Sequence, residues 1–369
     1  MMLIEHLQKN HNVRLITDKK VDFGKLNEKF GTSANPVHVI RPLFVRIVGK
    51  IEPHLHLFAK LQTALLASYL RKNNHIYELC ISTKMEANFG ERGMQFLHHE
   101  PEGMKSRVYD GAYLWLLSYF GRKKEGIEKN ITISPSTYIK NLYEKVYDAK
   151  SYVVYPAIYK HQNSVTFSWD NKEDGFLVIG HIDELKRTHI AIEIIDELSR
   201  QGFDTHLHII GTGSGLYYDK IKNMRDTRET VTLEGFVSKE KYAWLIASHK
   251  YVIHPRINEP SAVAIREAID GGCIVFAHES GGNPEILGYN KHLLFTSTGQ
   301  AVEKIKNVLM NEDIQHGVCM DLDSLSFNTR ENYLREIDDI IAVEFKGKLV
   351  LDMLHEKGKV FVNLLQDNT

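Results

Sequence analysis

Three cysteines in 369 residues, Cys80, Cys273 and Cys319, are too few and too scattered for a disulfide framework. They form no CxxC pair to hold zinc and point to a reducing compartment. No apolar run approaches the ~20 residues of a membrane span. The opening MMLIEHLQKNHNV lacks the basic region and small-residue cleavage site of a signal peptide, so a cytoplasmic chain is expected. Excess charge is also missing. Lys and Arg total 46 against 47 Asp and Glu, a formal net charge of −1, and a nucleic-acid binder would be far more basic. There is no HExxH zinc motif, no GxSxG nucleophile elbow, no solenoid repeat and no low-complexity tract.

What the chain does have is a rhythm. Its length suits two domains, and 43% apolar with 25% charged residues suits globular ones. Short apolar runs recur: VRLIT, VHVI, IYELCIS, MQFLHH, NITIS and SYVVYP, then GFLVIG, HLHIIG, TVTLEGF, KYVIHP, CIVFAH and HLLF. Runs apolar throughout suit strands covered on both faces. Helical patterns such as THIAIEIIDELSRQG separate them, and such alternation predicts parallel sheets in doubly wound α/β domains. Two Rossmann-like domains facing a cleft are expected: residues 1–160, then residues 172–325, joined by the polar QNSVTFSWDNKEDG. Residues 326–369 are expected as helices that pack back on the first domain, KGKLVLDMLHEKGKVFVNLL among them. The first domain opens on a helix, so its first strand reads as missing.

The stretch NEPSAVAIREAIDGG (258–272) concentrates the chemistry. Pro260 and Ser261 read as a helix start with Ser as cap, and Gly271–Gly272 as its end. Glu259 then lies on the loop before the helix and Glu267 inside it. Eight residues at the helical rise span roughly 12 Å. A hydrolytic carboxylate pair is closer, about 5–9.5 Å, so the spacing suits two contacts on one extended ligand. The helix N-terminus between them offers free amides to an anion such as phosphate. The plainer reading is two surface or capping glutamates.

In chain order, FLVIGHIDELKRTHIAIEII, LHIIGTGSG, VTLEGFV and HPRINEPSAVAIREAIDGGCIVFAHESGGNPEIL resemble the donor-binding domain of retaining glycosyltransferases of family 4, which have the GT-B fold. The resemblance covers residues 175–300 well, and the first half more weakly through ISTKMEANFGERGMQFLHHEP, ITISPSTYIKNLYEKVY and YVVYP. It implies a hexosyltransferase-type enzyme that takes a nucleotide diphosphate sugar as donor and a glycan or lipid-linked acceptor, with no cofactor and no metal. Position by position, Glu267 would accept the ribose hydroxyls and Glu259 those of the donor sugar. Amides of Ser261, Ala262 and Val263 would approach sugar and diphosphate, and Lys186 would neutralise the diphosphate. Gly235, Phe236 and Val237 would lie against the base. His99, with His98 as competitor, would face the sugar from the first domain. The chain departs from the pattern at His181, where the family has Arg, at Ser261–Ala262, where it has Phe-Gly, and in the missing first strand. A catalytically degenerate GT-B module that binds a nucleotide sugar or a partner protein is the alternative, and a nucleotide-sugar epimerase a third reading.

Other features stay secondary. GTGSG (211–215), with Gly213 at its centre, follows a strand but not as a dinucleotide fingerprint, and reads as a tight turn by the cleft. Gly281, Gly282 and Glu285 mark a further cleft loop or a plain turn. DLD (321–323) reads as a solvated loop. His54, His56, His206 and His208 read as structural or exposed. Residues 38–72 carry six basic residues against Glu52 alone, which suits either a core helix with a basic outer face or docking on an anionic membrane surface.

Overall fold

Every apolar run named above becomes a strand in the computed structural model, which describes residues 1–17, 19–43, 47, 65–66, 68–83, 86, 89, 92–101, 126–158, 167–345 and, as backbone only, 359–363. The first part of the chain gives α1 (Met2–Leu7), β1 (Asn12–Ile16), α2 (Phe23–Phe30), β2 (His38–Ile40), β3 (Leu79–Ser82), β4 (Gly93–Phe96), β5 (Ile131–Ser134), α3 (Thr137–Tyr147) and β6 (Tyr152–Val153). The second gives β7 (Glu173–Ile179), α4 (Thr188–Arg200), β8 (Leu207–Ile210), α5 (Gly215–Asp226), β9 (Val231–Gly235), α6 (Lys239–Ser248), β10 (His249–His254), α7 (Val263–Asp270), β11 (Ile274–His278), α8 (Asn283–Ile286), β12 (Leu294–Phe295), α9 (Thr298–Met310) and α10 (Glu312–Asp323). α11 (Arg330–Phe345) and β13 (Lys359–Asn363) follow. Most of the basic stretch 38–72, with the membrane contact expected there, lies outside the described residues.

The chain divides into two compact units, Met1–Val154 with Tyr333–Asn368, and Tyr155–Asn332. In the second, a parallel sheet runs in the order β12-β11-β10-β7-β8-β9. Phe176, Leu177, Val178 and Ile179 of β7 are all buried, as a strand covered on both faces requires. α4 presents Ala191, Ile192, Ile195 and Leu198 at helical spacing, and each is fully buried. Burying one such side chain contributes about 1.5–3 kcal/mol. Buried Lys172 donates to the carbonyls of Gly271, Gly272 and His249 and so ties the end of α7 to the start of β7.

The first unit holds the larger sheet, β2-β1-β13-β3-β4-β5-β6, with every neighbour parallel. As expected, no strand precedes α1 among the described residues, and a distant segment fills the place such a strand would take. The central position between β1 and β3 is taken by β13, with Val13 opposite Val360 and Ile81 opposite Val362. The segment was expected as helix. The short apolar run Val360-Phe361-Val362, flanked by Lys359 and Asn363, serves equally as a strand once two edges are open to it. α11 precedes it, and Leu334, Ile337 and Phe345 join Leu3, Ile4, Leu15, Ile81 and Met94 in this unit's core.

Candidate functional site

The order of the second sheet fixes where a ligand can sit. β7, β8 and β9 are laid down in one direction, then the chain returns to place β10 on the other side of β7. The loops leaving β7 and β10 therefore diverge, and this switch point is where open α/β sheets leave a crevice. Lys186 is on the first loop and Glu259 on the second. Lys186 Nζ lies 2.9 Å from Glu259 Oε2. The Lys186 backbone N–H donates to Asp183 Oδ1 at 2.9 Å, which folds the β7–α4 loop back over the strand end.

Glu259 is 4% exposed and surrounded by cationic and donor groups. Besides Lys186, His254 Nε2 lies 3.1 Å and Arg256 Nε 3.4 Å from the same oxygen. Burial alone would push this carboxyl up. The His254 hydrogen bond and the charges of Lys186 and Arg256 outweigh it and hold Glu259 well below the usual carboxylate range. It is an ionised acceptor, positioned and dry. His254 is itself fully buried, and burial holds its imidazole below its ordinary value despite Glu259. Sequence reasoning missed His254 and Arg256. Their signal lay at the end of β10 and in the loop after it, five and three residues before the glutamate in HPRINE.

α7 begins at Val263 after Ala262, and no side chain caps its N-terminus. The expectation of Ser261 as cap is corrected: its hydroxyl accepts from Arg266 Nη1 at 2.8 Å instead. A buried guanidinium with no acidic hydrogen-bond partner takes the nearest oxygen, and its Nη2 still has no partner. The same guanidinium lies 5.2 Å over the Tyr155 ring, and Tyr155 donates to Glu285 Oε2 at 3.1 Å. Glu285 thus faces Tyr155 rather than Glu259. The uncapped first turn leaves backbone N–H groups for an anion, beside Lys186 and Glu259.

Glu267, one turn along α7, accepts from the Tyr242 hydroxyl of α6 at 2.7 Å. Burial and the neighbouring Glu267 charge raise the Tyr242 hydroxyl far above its ordinary pKa, so it remains a donor. Both side chains line a cavity of about 920 Å³ that runs on to Lys172, Cys273 and Gln315. Tyr242, too, was not singled out in the sequence.

Glycines bring the remaining loops close. A Cβ at Gly211 (φ 152°) would meet the Gly180 carbonyl at 1.9 Å, and one at Gly213 the Ile182 carbonyl at 2.3 Å. These loops follow β8 and β7, and His181 stands exposed between them. At the end of β9, Gly235 has φ 68°, Phe236 is 80% exposed and Val237 packs on the core. Gly281 (φ 66°) backs directly on Glu259, where a Cβ would come 2.5 Å from its backbone nitrogen. The Gly282 N–H donates to the Glu259 carbonyl at 2.7 Å. This loop holds the glutamate from behind. DLD lies on α10 rather than on a loop, with Asp321 and Asp323 exposed and Leu322 buried. His98 and His99 follow β4 of the other unit and are exposed.

The chain is similar to known proteins in part of its sequence and in its fold. Residues 159–318 match the family described as Glycosyl transferases group 1. No curated protein matches the chain. Among solved structures, HepE of Anabaena in complex with UDP and glucose is similar at a TM-score of 0.65 and 16% identity, over 92% of this chain and 95% of that one. WaaG, a glycosyltransferase involved in lipopolysaccharide biosynthesis, is similar at 0.64 and 15%, over 95% and 94%. A glycosyltransferase from Rickettsia africae is similar at 0.62 and 13%, over 94% of each. The fold is GT-B.

Proposed function

We propose that the chain is a retaining glycosyltransferase of family 4, moving a hexose-type sugar from a nucleotide diphosphate sugar to a hydroxyl of a glycan or lipid-linked acceptor. The observation that carries it is the meeting of Lys186 and Glu259 at the switch point, beside the uncapped start of α7. Lys186 and the α7 amides would take the diphosphate, the group that departs with the electron pair of the broken C1–O bond. The acceptor oxygen would form the new bond to C1 on the same face and pass its proton to the leaving phosphate oxygen. Lys186 and the helix supply the countercharge here, so the reading needs no metal. Glu259 would accept the sugar hydroxyls with the direction set by His254 and Arg256. Glu267 would take the ribose, and Gly235, Phe236 and Val237 the base. His99, or His98, would act from the first unit. HepE holds UDP, which favours a uridine nucleotide.

A degenerate module that binds a nucleotide sugar or a partner protein is the second reading. It is favoured by His181 in place of an arginine and by Arg266, which occupies the Ser261 hydroxyl.

Calorimetric titration with UDP, GDP and ADP, beside Glu267→Ala, tests the donor site. One nucleotide should bind, and the variant should lose about 1.5–3 kcal/mol for a hydroxyl bonded to a carboxylate. Transfer from the matching sugar nucleotide then separates the two readings. No binding of any of the three nucleotides would overturn both as nucleotide-sugar sites.

A further inference from the structure

The donor-side loops leave the carboxyl ends of the strands. At the other end of the same sheet, three histidines from two strands converge. His206 and His208 lie two residues apart at the start of β8, so they share a face. His249 opens β10 on the far side of β7. One ligand nitrogen from each lies within 4.8 Å of the others. Their rings are 4.9–5.5 Å apart, centre to centre.

β7 runs between them, and its residue there is Gly175. A Cβ at that position would fall 2.2 Å from His206 Nε2 and 2.8 Å from His249 Cδ2. The glycine makes the room in which the rings meet. Glu173, two residues earlier on β7, brings Oε2 to 3.4 Å from His206 Nε2 and 3.9 Å from His249 Nε2.

Two of the rings are already oriented as metal ligands are. His249 Nδ1 sits 2.9 Å from the Leu245 carbonyl, so it carries the proton and leaves the Nε2 lone pair free. That Nε2 is buried, on a side chain only 1% exposed, and has no hydrogen-bond partner. A buried acceptor without a partner costs free energy unless something fills the site. His208 Nδ1 lies 2.7 Å from Glu234 Oε1, which fixes its tautomer and leaves Nε2 as the ligand atom. Lys241 holds the other oxygen of Glu234. Lys172, the cation nearest His249, is engaged by the carbonyls of Gly271 and Gly272.

We propose that His206, His208 and His249 bind a divalent transition metal of the zinc class, with Glu173 or water as the fourth ligand. Imidazole nitrogens with one carboxylate suit Zn²⁺ and exclude Mg²⁺, which prefers oxygen. Tetrahedral zinc with bonds near 2.0–2.1 Å needs its ligand atoms roughly 3.3 Å apart, so small side-chain rotations close the set. The ion would pin the first residues of β7, β8 and β10 together, far along the strands from Lys186 and Glu259. It is a structural site, separate from sugar transfer.

The test is metal uptake by the full chain after dialysis against EDTA. Zinc titration with elemental analysis should give about one equivalent per chain, and Mg²⁺ none. Co²⁺ should give the visible absorption of a tetrahedral nitrogen-ligated ion. The His206→Asn/His208→Asn double variant, checked for folding by circular dichroism, should lose stoichiometric uptake and the rise in Tm that Zn²⁺ gives the parent chain. Parent chain without uptake, or equal uptake by the double variant, would overturn the site. Should that variant not fold, the zinc-edge absorption of the parent chain decides. Three imidazole ligands support the site, and a shell of sulfur or of oxygen alone refutes it.

Discussion

Lys186 and Glu259 stand 73 residues apart in the chain, and their charged groups stand 2.9 Å apart at the switch point of the second sheet. The pair is partly open on the lysine side, with 22% of that side chain exposed against 6% of the glutamate's. A diphosphate can therefore reach Lys186 while Glu259 stays fixed from behind by His254 and Arg256.

Lys186→Ala should weaken binding of the nucleotide diphosphate by about 1.5–3 kcal/mol, the range for a hydrogen bond to a charged group. Calorimetry reads this directly. A variant that binds like the parent chain would remove Lys186 from the diphosphate site.

Glu259→Ala should be the costly change for the fold. It leaves Lys186 and Arg256 without their buried counter-ion, and removing one partner of such a pair costs about 3–5 kcal/mol. Glu259→Gln keeps the shape and an acceptor oxygen. It should keep more of the stability and still lose sugar transfer. Thermal unfolding beside a transfer assay separates the two effects.

Gly281→Ala should destabilise the second unit by about 1–3 kcal/mol, the cost of overpacking a tight contact. The backbone there has φ 66°, and the new methyl would press on the Glu259 backbone. Nucleotide-sugar binding should fall with it. Gly299→Ala, where a Cβ meets nothing within 4 Å, is the matched control and should be neutral.

Acid should destabilise the second unit in two steps. His254 is held neutral in the fold, while the unfolded imidazole takes up a proton below its ordinary value of 6.5. The unfolded state then binds more protons, and stability falls as the pH drops below that value. Glu259 is held ionised in the fold, while the unfolded carboxyl protonates below 4.5, so a second loss follows there. Denaturant unfolding across this range should show stability falling with pH, and His254→Gln should shrink the upper step, the rest of which comes from His249 and the other histidines that burial holds neutral in this unit.

Phe361→Pro should unfold the first unit and spare the second. Proline cannot donate to the ladder, and β13 is a central strand paired on both sides. Two thermal transitions in the parent chain should become one, with nucleotide binding retained in isolation.

Much of this molecule was legible locally. The apolar runs marked the first twelve strands because burial on both faces leaves a pattern within five or six residues. The glutamates and the GTGSG glycines after β8 were visible as residue types at known offsets from those strands, and Lys186 through the family resemblance. Other features depend on which distant segments pair. Residues 359–363 read as helix because their role is set by β1 and β3, more than 270 residues away. His206 and His208 read as structural or exposed and His249 was not singled out, since only the β10-β7-β8 order brings the three around Gly175. His254 and Arg256 acquired meaning only when the β10 loop turned them onto Glu259. The sequence by itself determined the elements and the side chains available to them. Tertiary structure decided which of those side chains share a site, because strand order and register join residues that no local spacing connects.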